Sequence, residues 1–316
     1  MPAPRVPSGA VRAQDAPSSA LVTTVSSWFD AHARDLPWRG PERTAWGVLV
    51  SEVMLQQTPV ARVEPVWREW MVRWPSATDL AAAAPADVLR AWGRLGYPRR
   101  ALRLHECARV IVERHGGEVP DDEALLRALP GVGEYTTAAV RAFAFGRRAV
   151  VVDTNVRRVL ARVLSGTALP PPHPTAAERG LARSVVPGSD DDAARWAAAS
   201  MELGAVVCTA RSPRCGECPV AELCAWRAAG HPADEHTARR RAQAWHGTDR
   251  QVRGRIMALL RDAVGPVPLE AIEALDVPRD QLARCLDSLV LDGLAAPDPA
   301  TDPPTYSLPA HPSPGK

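Results

Sequence analysis

Two carboxylates lie beside apolar runs that can exclude water from them. Glu52 is flanked on both sides by apolar residues within 50–55. Burial disfavours the charged form and raises the pKa of such a carboxyl, which keeps a proton available for general acid catalysis near neutral pH. A core salt bridge explains Glu52 equally well. Asp153 follows the apolar run 149–152, where it can cap a helix that begins at residue 154 or direct an ionised carboxylate into a cleft.

The cysteines suggest a metal centre. Four of the six fall within seventeen residues, with the spacing Cys-x6-Cys-x2-Cys-x5-Cys. Zinc ribbons usually have two separated Cys-x2-Cys pairs, and only one pair is present here. We therefore favour a structural [4Fe-4S] cluster, with zinc as the alternative. The other two cysteines, Cys107 and Cys285, are expected to be core thiols. The predicted ligands are Cys208, Cys215, Cys218 and Cys224.

A glycine pair separates two predicted helices in Leu-Pro-Gly-Val-Gly, residues 129–133. Glycine permits positive φ and close backbone approach at Gly131 and Gly133. Backbone N–H groups at a turn that opens a helix form an anion site, which the helix dipole strengthens. The motif is typical of a helix-hairpin-helix that binds a DNA phosphate, although an ordinary helix-helix turn has the same residues.

Composition limits the partners of the chain. It has 316 residues and a formal net charge of +2, without an apolar run long enough to cross a membrane. Residues 1–20 lack the apolar segment of a secretory signal, so we expect a cytoplasmic protein. Arginines are concentrated in 94–114, 147–162 and 239–255, which suits a phosphate backbone as well as solvated helix faces. The sole lysine is Lys316.

Helical periodicity dominates the chain and predicts an all-α fold. We expect a disordered segment at 1–17, a linker at 229–246 and a tail at 311–316. A small module at 247–310 follows the linker. That module has three predicted helices and an extended end, which suggests a winged-helix-like unit, with a plain helical bundle as the alternative.

Six ordered blocks resemble the adenine DNA glycosylases of the MutY type, within the helix-hairpin-helix, iron–sulfur superfamily that includes endonuclease III. The resemblance runs from about residue 26 to residue 226. It implies a two-lobed helix-hairpin-helix glycosylase fold with a DNA cleft between the lobes. One lobe, with the iron–sulfur loop, is expected from 18–42 and 150–228, and the other, with the hairpin motif, from 43–149. The blocks are LPWR (36–39), SEVMLQQT (51–58), GRLGY (93–97), LPGVGEYT (129–136), VDTNV (152–156) and the cysteine spacing.

The resemblance implies removal of adenine mispaired with 8-oxoguanine or guanine in double-stranded DNA, by a monomer that bears a [4Fe-4S] cluster. Glu52 matches the acid that protonates adenine N7, and Asp153 matches the carboxylate that stabilises the oxocarbenium sugar. Tyr135 and Asn155 match residues on the sugar side of the pocket. The adenine must be flipped out of the duplex to reach Glu52.

Further matches imply the residues that contact DNA. Trp38 and Arg39 match the wall of the adenine pocket, and Tyr97 matches a wedge that intercalates and helps to kink the duplex. Gln57 matches a residue near the void and the retained base. The implied substrate-binding set is Trp38, Arg39, Gln57, Thr58, Tyr97, Gly131 and Gly133.

The resemblance also distinguishes a strand-cleaving glycosylase from a monofunctional one. Endonuclease III-type enzymes use a lysine just after the hairpin glycines to form a Schiff base and cleave the strand. Tyr135 occupies that position here, and no internal lysine can replace it. We therefore expect a monofunctional glycosylase that leaves an intact abasic site.

Two departures and two rivals accompany this interpretation. Long family members have a C-terminal domain of the nucleotide-hydrolase type, whereas this chain has about sixty residues there, which are predicted to be helical. In addition, Pro98 occupies a position at which many members have a tyrosine. A related glycosylase acting on thymine in G:T mispairs is the nearest rival, although an acid at position 52 favours adenine because thymine has no N7. A non-enzymatic iron–sulfur DNA-binding regulator would leave Glu52, Asp153 and Tyr135 unexplained.

Overall fold

The computed structural model describes residues 15–236 and 246–310, of which most are helical. The helices are α1 (Asp15–His32), α2 (Ala45–Leu55), α3 (Val60–Arg73), α4 (Ala77–Ala81), α5 (Pro85–Trp92), α6 (Arg99–His115), α7 (Glu123–Arg127), α8 (Glu134–Phe143), α9 (Thr154–Val163), α10 (Ala176–Ser184), α11 (Asp190–Val206), α12 (Ala225–Ala228), α13 (Asp249–Asp262), α14 (Leu269–Glu273) and α15 (Arg279–Leu291). Short 3-10 turns cover Pro37–Arg39, Cys215–Glu217 and Ala221–Leu223, and the strands are β1 (Val267–Pro268), β2 (Ala296–Asp298) and β3 (Thr305–Ser307).

The predicted disordered segment, linker and tail lie partly or wholly outside the described residues. Residues 1–14 of the expected disordered segment, residues 237–245 of the expected linker and the tail 311–316 lie outside the described residues. Residues 15–17 are helical rather than disordered, since α1 begins at Asp15. Proline at 17 is tolerated there because backbone N–H groups of the first helical turn have no intrahelical partner.

The chain divides into two compact units, the first formed by Met1–Arg34 and Arg141–Arg241 and the second by Asp35–Val140 and Ala242–Lys316. In the first unit, α1 and α9 both pack against α11. Leu21, Val159 and Leu203 are fully buried at these contacts. Arg34 forms a two-pronged ion pair with the fully buried carboxylate of Glu202, at 2.6 and 2.8 Å, which fixes the end of α1 against α11.

Tryptophans build much of the core of the second unit. Trp67 stacks edge-on against Trp38, and Trp70 does so against both Trp74 and Trp92. Each buried indole N–H needs an acceptor, because an unpaired buried donor is costly. Backbone carbonyls of other segments supply it: the donor–acceptor pairs are Trp46 to Trp74, Trp67 to Gly47, Trp70 to Ala91 and Trp92 to Gly96.

The C-terminal module, residues 247–310, belongs to the second unit. Its helix α13 packs against α15 within the module and against α5 outside it. The three strands form one antiparallel sheet in the order β1-β3-β2, with Val267 opposite Tyr306 and Ala296 opposite Ser307. Three helices with a small sheet in this order confirm the expected fold class, all-α with a winged-helix-like C-terminal module. No helix in the described ranges is both long and apolar enough to cross a membrane.

Candidate functional site

In the second unit, the structure brings together two predicted site residues that lie far apart in sequence. Glu52 is on the last half of α2 and is 5% exposed. The phenol of Tyr135, in the first turn of α8, donates a hydrogen bond to Glu52 Oε2 at 2.9 Å. This bond fixes the orientation of the buried carboxyl. A buried, oriented carboxyl is the arrangement that a general acid requires.

The C-terminal end of α2 is held by Arg100, which sequence reasoning missed. Its guanidinium donates to the carbonyls of Val53, Met54 and Gln56, which a helix end leaves without intrahelical partners. The same cation reaches the hydroxyl of Thr58 at 3.0 Å. Burial lowers the pKa of Arg100 to about 10, so the guanidinium remains charged at neutral pH. Arg100 lies within the basic segment 94–114, but its guanidinium binds backbone carbonyls of α2 instead of standing free at the surface.

Two non-glycine residues nearby have backbones in the left-handed region. Gln57 has φ 55° and Tyr97 has φ 47°, each of which costs roughly 1 kcal/mol for a residue with a side chain. Arg100 also donates to the Gly96 carbonyl at 3.1 Å, and the buried Thr58 hydroxyl donates to the Leu95 carbonyl at 3.2 Å. These bonds tie the two strained segments together and keep Gln57 and Tyr97 at the surface.

Of the two hairpin glycines, Gly131 has the positive φ and close contact that the sequence predicts, whereas Gly133 has neither. Gly131 has φ 78°, and a Cβ there would lie 3.3 Å from Cβ of Arg103, so a larger residue would be strained and crowded. Gly131 and Gly133 are exposed, and α8 begins directly after them at Glu134. An exposed backbone turn at the positive end of a helix suits a phosphate.

The remaining predicted pair in this unit, Trp38 and Arg39, lies in the 3-10 turn Pro37–Arg39. Trp38 is only 5% exposed, and it contacts Trp67 edge-on with ring centroids 5.7 Å apart. Arg39 is half-buried. Trp38 is therefore largely a core residue, and Arg39 is the more accessible of the two.

In the first unit, Asp153 is the N-cap of α9. Its Oδ1 accepts from the backbone N–H groups of Asn155 and Val156 at 2.8 and 2.7 Å, and its Oδ2 accepts from the Asn155 side-chain amide at 2.6 Å. Burial raises the pKa of Asp153 above the ordinary 3.8, while these donors and the charge of Arg158 act in the opposite direction. The carboxylate thus has a capping oxygen and a second oxygen held by an amide.

Arg158 connects Asn155 to the loop that follows α11. It donates to Asn155 Oδ1 at 2.7 Å, to the Gly204 carbonyl at 2.7 Å and to the Cys208 carbonyl at 2.6 Å. Burial lowers its pKa, which nearby Cys208 and Asp153 counteract. Asn155 is therefore fixed through both ends of its amide group, by Asp153 and by Arg158.

Gly204 on α11 is a second residue that sequence reasoning missed. A Cβ at this position would lie 2.6 Å from Cβ of Asn155 and 2.8 Å from its carbonyl oxygen. Contacts this short do not occur between such atoms, so only glycine lets α11 approach the start of α9. A lone glycine inside a helical pattern was the available signal, because it usually has a packing reason.

The four predicted cysteine ligands line one pocket in the first unit. Arg162 donates to Cys208 Sγ at 3.3 Å and also contacts the face of Trp226, which lines the same pocket. Burial raises the pKa of Cys208 and raises that of Cys218 to about 11, so the thiolate forms require the positive charge of a metal centre.

The donor set of this pocket fits a [4Fe-4S] cluster, which takes one thiolate at each of its four irons. Four thiols line the pocket: Cys208, Cys215, Cys218 and Cys224.

Comparison with protein families gives two matches. Residues 50–184 match a family model described as HhH-GPD superfamily base excision DNA repair protein. Residues 208–224, which run from the first to the last predicted ligand, match the iron–sulfur binding domain of endonuclease III. The predicted [4Fe-4S] cofactor is therefore confirmed as the group that this cysteine loop holds.

Curated relatives extend the likeness over nearly their whole length. The chain is 53% identical over 270 residues to an adenine DNA glycosylase of Mycolicibacterium smegmatis, covering 85% of this chain and 90% of the relative. It is 50% identical over 273 residues to an adenine DNA glycosylase of Mycobacterium tuberculosis, covering 86% and 89%.

Solved structures share the fold. A thermostable thymine-DNA glycosylase is 30% identical with a TM-score of 0.62, over 69% of this chain and all of that one. Endonuclease III in a non-covalent DNA complex is 23% identical with a TM-score of 0.58, over 70% of this chain and 98% of that one.

The close approach at Gly204 gives a stability prediction. Gly204→Ala should lower the free energy of unfolding by about 2 kcal/mol or more, since overpacking forces α11 away from Asn155. Gly180→Ala on α10 is the matched control, because a Cβ there meets nothing within 4 Å and alanine favours helix. Thermal unfolding measures both variants. Equal midpoints for the two would show that α11 does not need glycine at 204.

Proposed function

Since the chain belongs to the adenine DNA glycosylases of the MutY type, within the HhH-GPD superfamily, we propose that it removes adenine mispaired with 8-oxoguanine or guanine. The product is an intact abasic site. The observation that supports this most strongly is the buried carboxyl of Glu52 with its hydrogen bond from Tyr135. Glu52 is a buried acid that can transfer a proton. The relatives at 53% and 50% identity are adenine DNA glycosylases.

The first proposed step is protonation of adenine N7 by Glu52. Protonation turns adenine into a better leaving group, so the bond to the sugar breaks more easily. Glu52 is only 5% exposed, and the Tyr135 phenol holds its carboxyl in one orientation. After departure of the base, the ionised Glu52 helps a water molecule to attack the sugar.

The second proposed role belongs to Asp153. Loss of the base leaves positive charge on the sugar, which a nearby carboxylate stabilises. Three N–H donors bind the Asp153 oxygens and favour the ionised form that this role needs. Asn155 orients the carboxylate, and Arg158 in turn orients Asn155.

DNA binding relies on residues that do not take part in bond breaking. We assign the exposed hairpin backbone at Gly131 and Gly133 to a phosphate, which positions the duplex without reading its sequence. Tyr97, 41% exposed, is the proposed wedge into the duplex, with the exposed Gln57 as a second contact. Thr58, which the sequence predicts to bind substrate, is buried and supports this region through its hydrogen bond to the Leu95 carbonyl. Trp38 and Arg39 form the proposed wall of the adenine pocket, with Arg39 as the accessible member.

The iron–sulfur cluster, when bound, supplies a covalent cross-link of the loop 208–224. Within the chain, Arg158 and Arg162 bond the backbone of that loop at Cys208 and Thr209. These bonds connect the loop to α9, whose first turn contains Asn155. The loop therefore supports the position of Asp153 and Asn155 rather than contacting the reacting sugar.

A thymine glycosylase is the second candidate, favoured by the structural likeness to such an enzyme. The chain is also 30% identical over 207 residues to a thymine/uracil-DNA glycosylase of Methanothermobacter thermautotrophicus. The acid at position 52 argues for adenine, because thymine has no N7 to protonate. The relatives named for adenine are also far more similar in sequence.

Duplexes that differ only in the mispair distinguish these activities. We expect single-turnover base release from A:8-oxoguanine and A:G duplexes, detected after alkali treatment, and none from G:T. Without alkali the strand should stay intact, and borohydride should trap no covalent adduct, since Tyr135 replaces the Schiff-base lysine and the only lysine is Lys316. Release from G:T alone would contradict the adenine assignment, and efficient trapping would contradict the monofunctional one.

The acid assignment is tested by Glu52→Gln, with Tyr135→Phe as its partner. Glu52→Gln should abolish adenine release while duplex affinity stays close to that of the parent, because glutamine keeps the shape but has no acidic proton. Tyr135→Phe removes one hydrogen bond to a carboxyl and should slow release about tenfold to a hundredfold. Single-turnover rates and a filter-binding titration measure both. Full turnover by Glu52→Gln would refute the role of Glu52.

A further inference from the structure

The ring of Tyr97 is covered by an arginine from the C-terminal module. The guanidinium of Arg250, in the first turn of α13, lies 4.6 Å from the centroid of the Tyr97 ring. Arg100 lies 5.5 Å from the same centroid. Cations at this range are attracted to the ring of an aromatic side chain, and arginine is the commoner partner. The single aromatic ring of the 93–97 loop is therefore held by two arginines from different parts of the chain.

A charged contact fixes α13 beside this loop. Asp292, at the end of α15, pairs with Arg99 at 3.2 Å and with Arg253 at 2.6 Å. Arg99 opens α6, directly after the 93–97 loop, and Arg253 is on α13. One carboxylate thus connects the module to the helix that follows Tyr97, and α13 also packs against α5, which precedes the loop.

We propose that the C-terminal module is part of the DNA-probing surface, because Arg250 on α13 positions the ring of Tyr97. The proposal rests on the proposed function, in which Tyr97 enters the duplex. It gives the small C-terminal module a role in probing the duplex beside the mispair. Arg250 acts through Tyr97 and is a positioning residue.

Wedge insertion is measured with 2-aminopurine next to the retained base, which brightens when its stack opens. The assay uses full-length protein with Glu52→Gln to keep the DNA intact. Arg250→Gln should reduce the brightening about threefold to tenfold, whereas Arg250→Lys should keep most of it because a cation remains over the ring. Arg279→Gln is the matched control, an exposed arginine of the same module at the start of α15. Thermal unfolding verifies that all variants fold.

Brightening equal to that of the parent in a folded Arg250→Gln variant would overturn the proposal. This outcome is separable from failure of the proposed function. If the parent protein neither releases adenine nor opens the stack at A:8-oxoguanine, the proposed function fails, and the role of Arg250 in wedge insertion fails with it. If the parent is active and Arg250→Gln behaves as the parent does, only the positioning role is wrong.

Discussion

A negative charge with limited access to water needs hydrogen-bond donors around it. Asp153, at the start of α9, has such donors. Two backbone N–H groups and one side-chain amide bind its oxygens, and the positive end of the helix dipole favours the charge further. Burial raises the pKa of the carboxyl, while the donors oppose that shift. The cap of the helix and the proposed stabiliser of a cationic sugar are therefore one and the same group, and the two explanations offered by the sequence are compatible.

Arginine side chains donate hydrogen bonds to backbone carbonyls at several places in this protein. Arg100 binds the carbonyls at the end of α2, and Arg158 and Arg162 bind those of the cysteine loop. A planar fork with five donors can satisfy several carbonyls at once, which lysine cannot do in the same geometry. A sequence with a single lysine thus uses arginine both in the interior and on the surfaces proposed to meet DNA.

Long helices, the glycine hairpin and the cysteine spacing were predictable because each has a local signal. Periodic apolar residues indicated α6 and α9, and the hairpin needs positive φ where the chain has Gly131. The short helix α4 has no such periodic signal, although Ser76 and Asp79 form a capping box at its start. Five residues are too few for helical periodicity to emerge.

Contacts between distant residues had no local signal. Nothing in the spacing of Glu52 and Tyr135 predicts that the phenol donates to the carboxyl, because 83 positions separate them. The same holds for Gly204 and Asn155, and for the pairing of Arg250 with Tyr97. Arg100 looked like one more surface charge in a basic segment. Its interior role depends on where α6 packs, which only the folded chain determines.

The most direct test of the account is the single-turnover rate of Asp153→Asn on an A:8-oxoguanine duplex. Asparagine is as good a helix cap as aspartate, so the variant should fold and keep its iron–sulfur cluster. Without the negative charge, base release should fall by about a hundredfold or more while duplex affinity changes little. A rate equal to that of the parent, in a folded variant with its cluster, would show that charge at position 153 does not stabilise the reacting sugar.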